Sequence, residues 1–93
     1  MINLDSKVSQ RPDLVAADMG DETVMMDIMS GKYFKLSEVG GSIWKKIESP
    51  KLVSEVIDEL MDEYEVSKAD CEVQTVEFLN GLLYKGIVVV VEE

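Results

Sequence analysis

The chain has 93 residues, enough for one small domain with one hydrophobic core and too few for a second. Its 19 acidic and 9 basic residues and its lack of histidine give a formal charge of −10. This charge opposes binding to nucleic-acid phosphates and to anionic membrane surfaces. The single cysteine, Cys71, excludes an intramolecular disulfide, and no Cys/His cluster could hold zinc. A carboxylate-only metal site has little support, and we expect no metal and no cofactor.

The first half of the chain predicts a small antiparallel sheet. Residues 1–12 are polar and are expected to be a flexible or loosely packed lead-in to a domain over residues 13–93. Three short apolar runs follow, separated by turns that contain Gly20 and Gly31. Such runs are typical of a three-stranded meander. The predicted strands lie near residues 13–19, 23–29 and 32–36.

The second half predicts three helices. Ser37 is the expected N-cap of the first, which ends before Pro50, and apolar spacing places the second at about 52–64. Ser67 and Gly86 are the expected caps of the third helix, and the final valines predict a short strand or extended segment. The predicted class is therefore α+β, with a three-stranded antiparallel sheet followed by three helices.

The third predicted strand carries two adjacent aromatic residues, Tyr33 and Phe34. Successive side chains of a strand point to opposite faces, so only one of these rings can face a given core. The spacing leaves open which ring faces inward. This strand also has an unpaired edge, unless the C-terminal valines cover it.

The third helix has an apolar sector of roughly 200°, about twice the width that one core requires. A neighbouring element within the domain could cover the surplus. Alternatively, the flank around Cys71, Phe78 and Leu82 forms a groove for a partner. An open strand edge beside an apolar helix flank is what binding of a peptide by strand addition requires.

Catalysis has little support in this sequence. There is no imidazole base, and the carboxylates of the second helix are explained by a solvated face. Cys71 is flanked by Asp70 and Glu72, whose charges oppose thiolate formation, so a packed thiol is favoured over a nucleophile. We expect a non-enzyme. The start of the chain lacks a signal-peptide pattern, and no apolar run reaches membrane-spanning length, so we expect a cytoplasmic protein.

A family resemblance rests on four features in a fixed order. They are Gly31-Lys32-Tyr33-Phe34-Lys35-Leu36, the motif Glu-Val-Gly-x-x-Ile-Trp at 38–44, Glu-Tyr-x-Val at 63–66, and Phe-Leu-x-x-Leu-Leu-x-x-Gly-Ile-Val at 78–88. In this order they resemble the PqqD-like proteins, also called RiPP recognition elements, and most of all the stand-alone members found in lasso-peptide gene clusters. The resemblance covers roughly residues 12–90.

The resemblance implies a winged-helix-like domain that binds the leader segment of a ribosomally made precursor peptide. In the family, the leader adds as a strand to the third strand and lies against the third helix. Mapped onto this chain, the implied strand residues are Lys32, Tyr33, Phe34, Lys35 and Leu36. The helix residues, chosen from the helical wheel, are Cys71, Val73, Gln74, Thr75, Phe78 and Leu82.

Lasso-peptide systems imply two further partners, a leader peptidase of the transglutaminase-like cysteine protease type and an asparagine-synthetase-like macrocyclase. The implied role is to present the precursor to them without catalysis. A winged-helix DNA-binding protein is the alternative, because one fold serves many functions. The acidic residues on the third helix argue against this alternative.

Overall fold

The computed structural model describes residues 1–92, which form six strands and three helices. The strands are β1 Lys7–Gln10, β2 Leu14–Met19, β3 Glu22–Asp27, β4 Tyr33–Leu36, β5 Lys51–Leu52 and β6 Val88–Val90. The helices are α1 Glu38–Lys46, α2 Val53–Glu63 and α3 Lys68–Lys85. The predicted α+β class, with a three-stranded sheet and three helices in a winged-helix-like arrangement, is confirmed.

The main sheet has the order β2-β3-β4, and both pairs are antiparallel. Gly20 and Gly31, in the two connecting turns, have φ angles of +69° and +72°, which residues other than glycine rarely adopt. These turns confirm the predicted meander. Its second strand ends at Asp27, two residues earlier than predicted, because residues 28–32 form the turn into β4.

Helix α1 packs closely on the inner face of this sheet. The Ser37 side chain accepts a hydrogen bond from the Gly40 N–H at 3.2 Å, which confirms Ser37 as the N-cap. A Cβ atom on Gly41 would lie 3.2 Å from Thr23 Cβ and still closer to the hydroxyl of Thr23. Glycine at this position therefore allows the helix backbone to approach β3.

The core lies between the sheet and the three helices. Trp44 of α1, Leu60 of α2 and Leu79 of α3 are all buried in it. Helix α3 ends where predicted, at Gly86, whose φ of +80° allows its N–H to reach the Leu82 and Leu83 carbonyls.

The N-terminal segment differs from the expectation of a flexible or loosely packed lead-in. Strand β1 is the centre of a second antiparallel sheet with the order β5-β1-β6, and Ile2 and Val8 are only 2% and 0% exposed. The predicted C-terminal strand, β6, therefore pairs with β1.

Two sets of hydrogen bonds hold the N-terminal segment against α2 and α3. Leu52 has no side-chain oxygen with which to cap α2, and the carbonyls of Ser6 and Leu4 accept from the first N–H groups of this helix, at 2.9 and 3.2 Å. The side chain of Asn80 in α3 accepts from the Ile2 N–H at 2.9 Å and donates to the Ile2 carbonyl at 3.3 Å. The N-terminal segment thus satisfies backbone groups and fills the core.

Candidate functional site

Strand β4 lies at an open edge of the main sheet. It pairs with β3, and no other strand formed by residues 1–92 pairs with it. The C-terminal valines, which could have covered this edge, pair with β1 instead. The edge is therefore free to accept another strand.

The alternation of hydrogen bonds shows which backbone groups face this open edge. The Asp27 N–H donates to the Lys32 carbonyl at 2.9 Å, so Lys32 directs its carbonyl toward β3. By the same alternation Phe34 and Leu36 also face β3. Tyr33 and Lys35 consequently direct their N–H and C=O groups away from β3, toward the open edge.

The two adjacent aromatic residues have different environments. Phe34 pairs with the fully buried Met25, is half-buried and packs against the core. Tyr33 points to the other face of the sheet and is 71% exposed. The structure therefore assigns the inward position to Phe34, which the sequence left open.

Helix α3 runs beside this strand. The Lys85 Nζ atom, at the end of α3, lies 6.0 Å from the centre of the Phe34 ring. One to two turns earlier, the Phe78 ring packs beside Gly40 and would come within 3.0 Å of a Cβ atom there. A Cβ atom on Gly40 would also lie 3.4 Å from Leu36 Cβ, so α3, the start of α1 and the end of β4 meet at one place.

A hollow of about 290 Å³ opens at this meeting point. Its walls are mostly apolar and come from α1, the end of α2 and α3. The lining residues are Ser37, Val39, Gly40, Ile43, Leu60, Tyr64, Val66, Cys71, Gln74, Thr75 and Phe78. Its volume is at the lower end of the roughly 300–1,000 Å³ that is usual for small-molecule sites, and it can take one or two large side chains.

We call the open edge of β4 together with this hollow the edge groove. Most of the predicted site residues are brought together there: residues 32–36 along the strand, and Cys71, Gln74, Thr75 and Phe78 on α3. Cys71 and Thr75 are largely buried and form part of the wall.

Two predicted helix residues lie elsewhere. Leu82 is 4% exposed and belongs to the core, so the flank assigned to a partner is partly the core-facing flank of α3. Val73 is 57% exposed and lines a separate shallow hollow with Ile2 and Leu4.

Several wall residues were missed by sequence reasoning. Val39 and Ile43 belong to the Glu-Val-Gly-x-x-Ile-Trp motif at 38–44, but neither was predicted to contact a ligand. Tyr64 and Val66 follow α2 in the structure and belong to the Glu-Tyr-x-Val motif at 63–66, but neither was predicted to contact a ligand. The motifs mark these positions, but only the packing of the three helices shows that they line one hollow.

The chemistry of the described residues is limited. Within residues 1–92, no group of three histidine, cysteine, aspartate or glutamate side chains is placed to hold a metal ion. Cys71 is a free, buried thiol whose sulfur lies 3.8 Å from the Thr75 hydroxyl. This contact is consistent with a packed thiol.

Two carboxylates outside the groove are held charged by neighbours. Nη2 of Arg11 lies 2.7 Å from Oδ2 of Asp27, and this guanidinium lowers the pKa of the Asp27 carboxyl below its usual value. The Met29 N–H adds a hydrogen bond to the same carboxylate at 3.0 Å. Lys45, 2.9 Å from Asp18, likewise lowers the pKa of Asp18.

None of the helices formed by residues 1–92 combines the length and the apolar character needed to cross a bilayer.

A solved structure described as TbiB1 in complex with the TbiA(beta) leader peptide superposes with a TM-score of 0.81. It is 29% identical and covers 91% of this chain and 99% of its own. A second structure, described as lasso peptide synthetase B1 complexed with the leader peptide, has a TM-score of 0.77 at 24% identity. It covers 88% of this chain and 96% of its own, and shows likeness of fold. No curated protein sequence matches this chain significantly.

The sequence profile of the family described as coenzyme PQQ synthesis protein D (PqqD) matches residues 22–88, which include β3, β4 and all three helices. This match covers well over half of the chain, and the superposition supports it over nearly the full length. The resemblance seen in the sequence motifs is thereby confirmed. The chain belongs to the PqqD family.

Proposed function

We propose that this protein binds the leader segment of a ribosomally synthesised precursor peptide in the edge groove, as a lasso-peptide recognition element. The observation that carries the proposal is the open edge of β4 beside an apolar hollow formed by α1, α2 and α3. The 29% identical TbiB1 structure supports it, because that protein is described in complex with a leader peptide.

The leader would extend the main sheet as a fourth strand. Tyr33 and Lys35 offer two backbone donors and two acceptors at the edge, and each hydrogen bond contributes on the order of 1 kcal/mol net. The hollow would take an apolar side chain of the leader, which contributes about 1.5–3 kcal/mol on full burial. The strand contacts give affinity for any extended peptide, and the hollow gives selectivity.

The remaining predicted contacts fit this arrangement to different degrees. Residues 32–36 with Cys71, Gln74, Thr75 and Phe78 form the proposed binding surface. Leu82 would act by supporting this surface from the core, and Val73 would lie outside it.

We further propose that binding is non-catalytic and that the bound precursor is presented to a leader peptidase and an asparagine-synthetase-like macrocyclase. The buried thiol of Cys71 supports a packing role. A Cys71→Ala variant should therefore allow processing in proportion to the leader binding that it retains. Loss of processing with leader binding intact would contradict the non-catalytic assignment.

The decisive experiment removes one backbone N–H at the open edge of β4 and compares that variant with a control of the same net charge. Lys35→Pro deletes an N–H that faces the open edge, whereas Lys35→Gln keeps it. The probe is a fluorescein-labelled synthetic leader of the precursor peptide encoded nearest to this gene. We expect Lys35→Pro to weaken binding about fivefold or more relative to Lys35→Gln, because one hydrogen bond of about 1 kcal/mol is lost, with both variants folded by circular dichroism. Equal binding by the two folded variants would refute strand addition.

An amide-shift titration with the same peptide locates the surface. Shifts should concentrate on residues 31–36 and on the groove-facing side of α3, and a scrambled peptide of the same composition is the control. Shifts confined to the β5-β1-β6 sheet would refute the groove assignment. Duplex DNA serves as a competitor that we expect to have no effect, because α3 exposes Asp70 and Glu77 to solvent.

A further inference from the structure

Only some of the basic residues of this acidic chain form ion pairs within residues 1–92. Four of the nine basic residues form ion pairs within residues 1–92, and Lys7 also has an interaction partner. The paired residues are Arg11, Lys45, Lys46 and Lys51. The other four lysines have no ion pair with any residue of 1–92, and they are Lys32, Lys35, Lys68 and Lys85.

Three of these four lysines lie along the edge groove, and two of them, Lys32 and Lys85, lie toward the end away from the hollow. Lys32 precedes β4, Lys35 lies on its exposed face, and the ammonium of Lys85 lies 6.0 Å from the centre of the Phe34 ring. All three are exposed. At the other end, the residues that line the hollow include no charged side chain. The groove is thus apolar at one end and cationic at the other.

This arrangement matters because the net charge of −10 would repel an acidic peptide at long range. At physiological ionic strength, however, charges more than about 8 Å away are largely screened. A ligand in the groove therefore responds mainly to the nearest charges. At this end the Asp27 carboxylate, opposite Lys32, is neutralised by its ion pair with Arg11, which leaves the ammonium groups. Such a local field favours carboxylates.

Resting on the function proposed above, we propose that the leader bound by this groove carries aspartate or glutamate side chains beside Lys32 and Lys85. The distance along an extended strand from Lys32 to Ser37 at the hollow is about 17 Å, or five residues at roughly 3.3 Å each. An acidic residue beside Lys32 therefore stands about five positions from the apolar residue that fills the hollow, and one beside Lys85, which lies at Phe34, stands about three positions from it. The ligand class is an amphipathic peptide with one apolar anchor and an acidic end.

The test compares three lysine-to-glutamine variants of the full chain, with the labelled synthetic leader as probe. Lys32→Gln and Lys85→Gln should each weaken binding about two- to fivefold at low salt, and the double variant about tenfold. Lys68→Gln is the matched control, since it changes the net charge equally but lies 17 residues, or about 25 Å, from Lys85 along α3. It should change binding less than twofold.

Two further measurements sharpen the result. The difference between the double variant and the unaltered chain should shrink as salt rises from about 0.05 M to about 1 M. A leader whose aspartate and glutamate residues are replaced by asparagine and glutamine should bind the unaltered chain as weakly as the double variant binds the original peptide.

Several outcomes overturn this inference. They are an equal loss with Lys68→Gln, unchanged binding by the double variant, and unchanged binding of the neutralised leader. Each of these leaves leader binding itself intact. Absence of leader binding by the unaltered chain would instead refute the proposed function as well, so the two failures are distinguishable.

Discussion

Substitution of Ile2 by alanine tests the role of the N-terminal segment directly. A flexible lead-in would make this change neutral, whereas the structure buries Ile2 to 2% exposure in the core. Replacing a buried isoleucine by alanine removes three carbons and leaves a cavity, which costs about 2–4 kcal/mol. For a domain of this size each kcal/mol lowers the melting temperature by about 4–8 °C, so we expect the melting temperature to fall by about 8–30 °C.

The assay is equilibrium urea unfolding followed by the fluorescence of Trp44, the only tryptophan, which is buried in the folded chain. Leu4→Ala is the matched control, because Leu4 lies in the same segment but is 36% exposed, and it should cost less than about 1 kcal/mol. Asn80→Ala removes both hydrogen bonds to Ile2 and should cost about 1–3 kcal/mol. A free energy of unfolding for Ile2→Ala within about 0.5 kcal/mol of the unaltered chain would refute the assignment of this segment to the core.

Two further predictions concern packing and charge. Gly41→Ala should destabilise the domain by about 1–3 kcal/mol in urea unfolding, because the new Cβ meets Thr23, whereas Gly81→Ala, in an open part of α3, should stabilise it by about 0.5–1 kcal/mol. If both substitutions change the free energy of unfolding equally, α1 does not approach β3 as closely as the structure shows. The lowered pKa of Asp27 means that its ion pair with Arg11 contributes fully above the unfolded-state pKa of about 3.9 and is lost as the pH falls through the lower folded-state value. Acid unfolding of an Arg11→Met variant, measured from pH 6 down to pH 2, should therefore show a smaller loss of stability than the unaltered chain. Identical acid profiles would contradict this coupling.

Much of the fold follows from local signals. The three-strand meander, the caps at Ser37 and Ser67 and the C-cap at Gly86 were predicted because each depends on residues next to each other in the chain. The same holds for the amphipathic stripe of α2. The strand ends were less accurate, since the turn into β4 begins earlier than the apolar run suggests.

The candidate site was predicted only in part. The strand half of the edge groove is continuous in sequence and appeared as a motif. The wall combines residues from three helices, and a helical wheel gives the width of an apolar sector without showing which neighbour covers each part of it. For this reason the wheel included Val73 and Leu82, which lie outside the hollow, and did not include Val39 and Tyr64, which line it.

The sequence by itself determined the composition of the domain, the order of its main elements and the family to which it belongs. These depend on periodicity, caps and ordered motifs, all of which are local. Only the tertiary structure decided that Phe34 faces inward, that the C-terminal valines leave β4 open, and that the N-terminal segment completes the core. Strand β1 has four residues and pairs with segments more than 40 and 75 positions away, so its place depends on long-range hydrogen bonds and on burial that no neighbouring residue records.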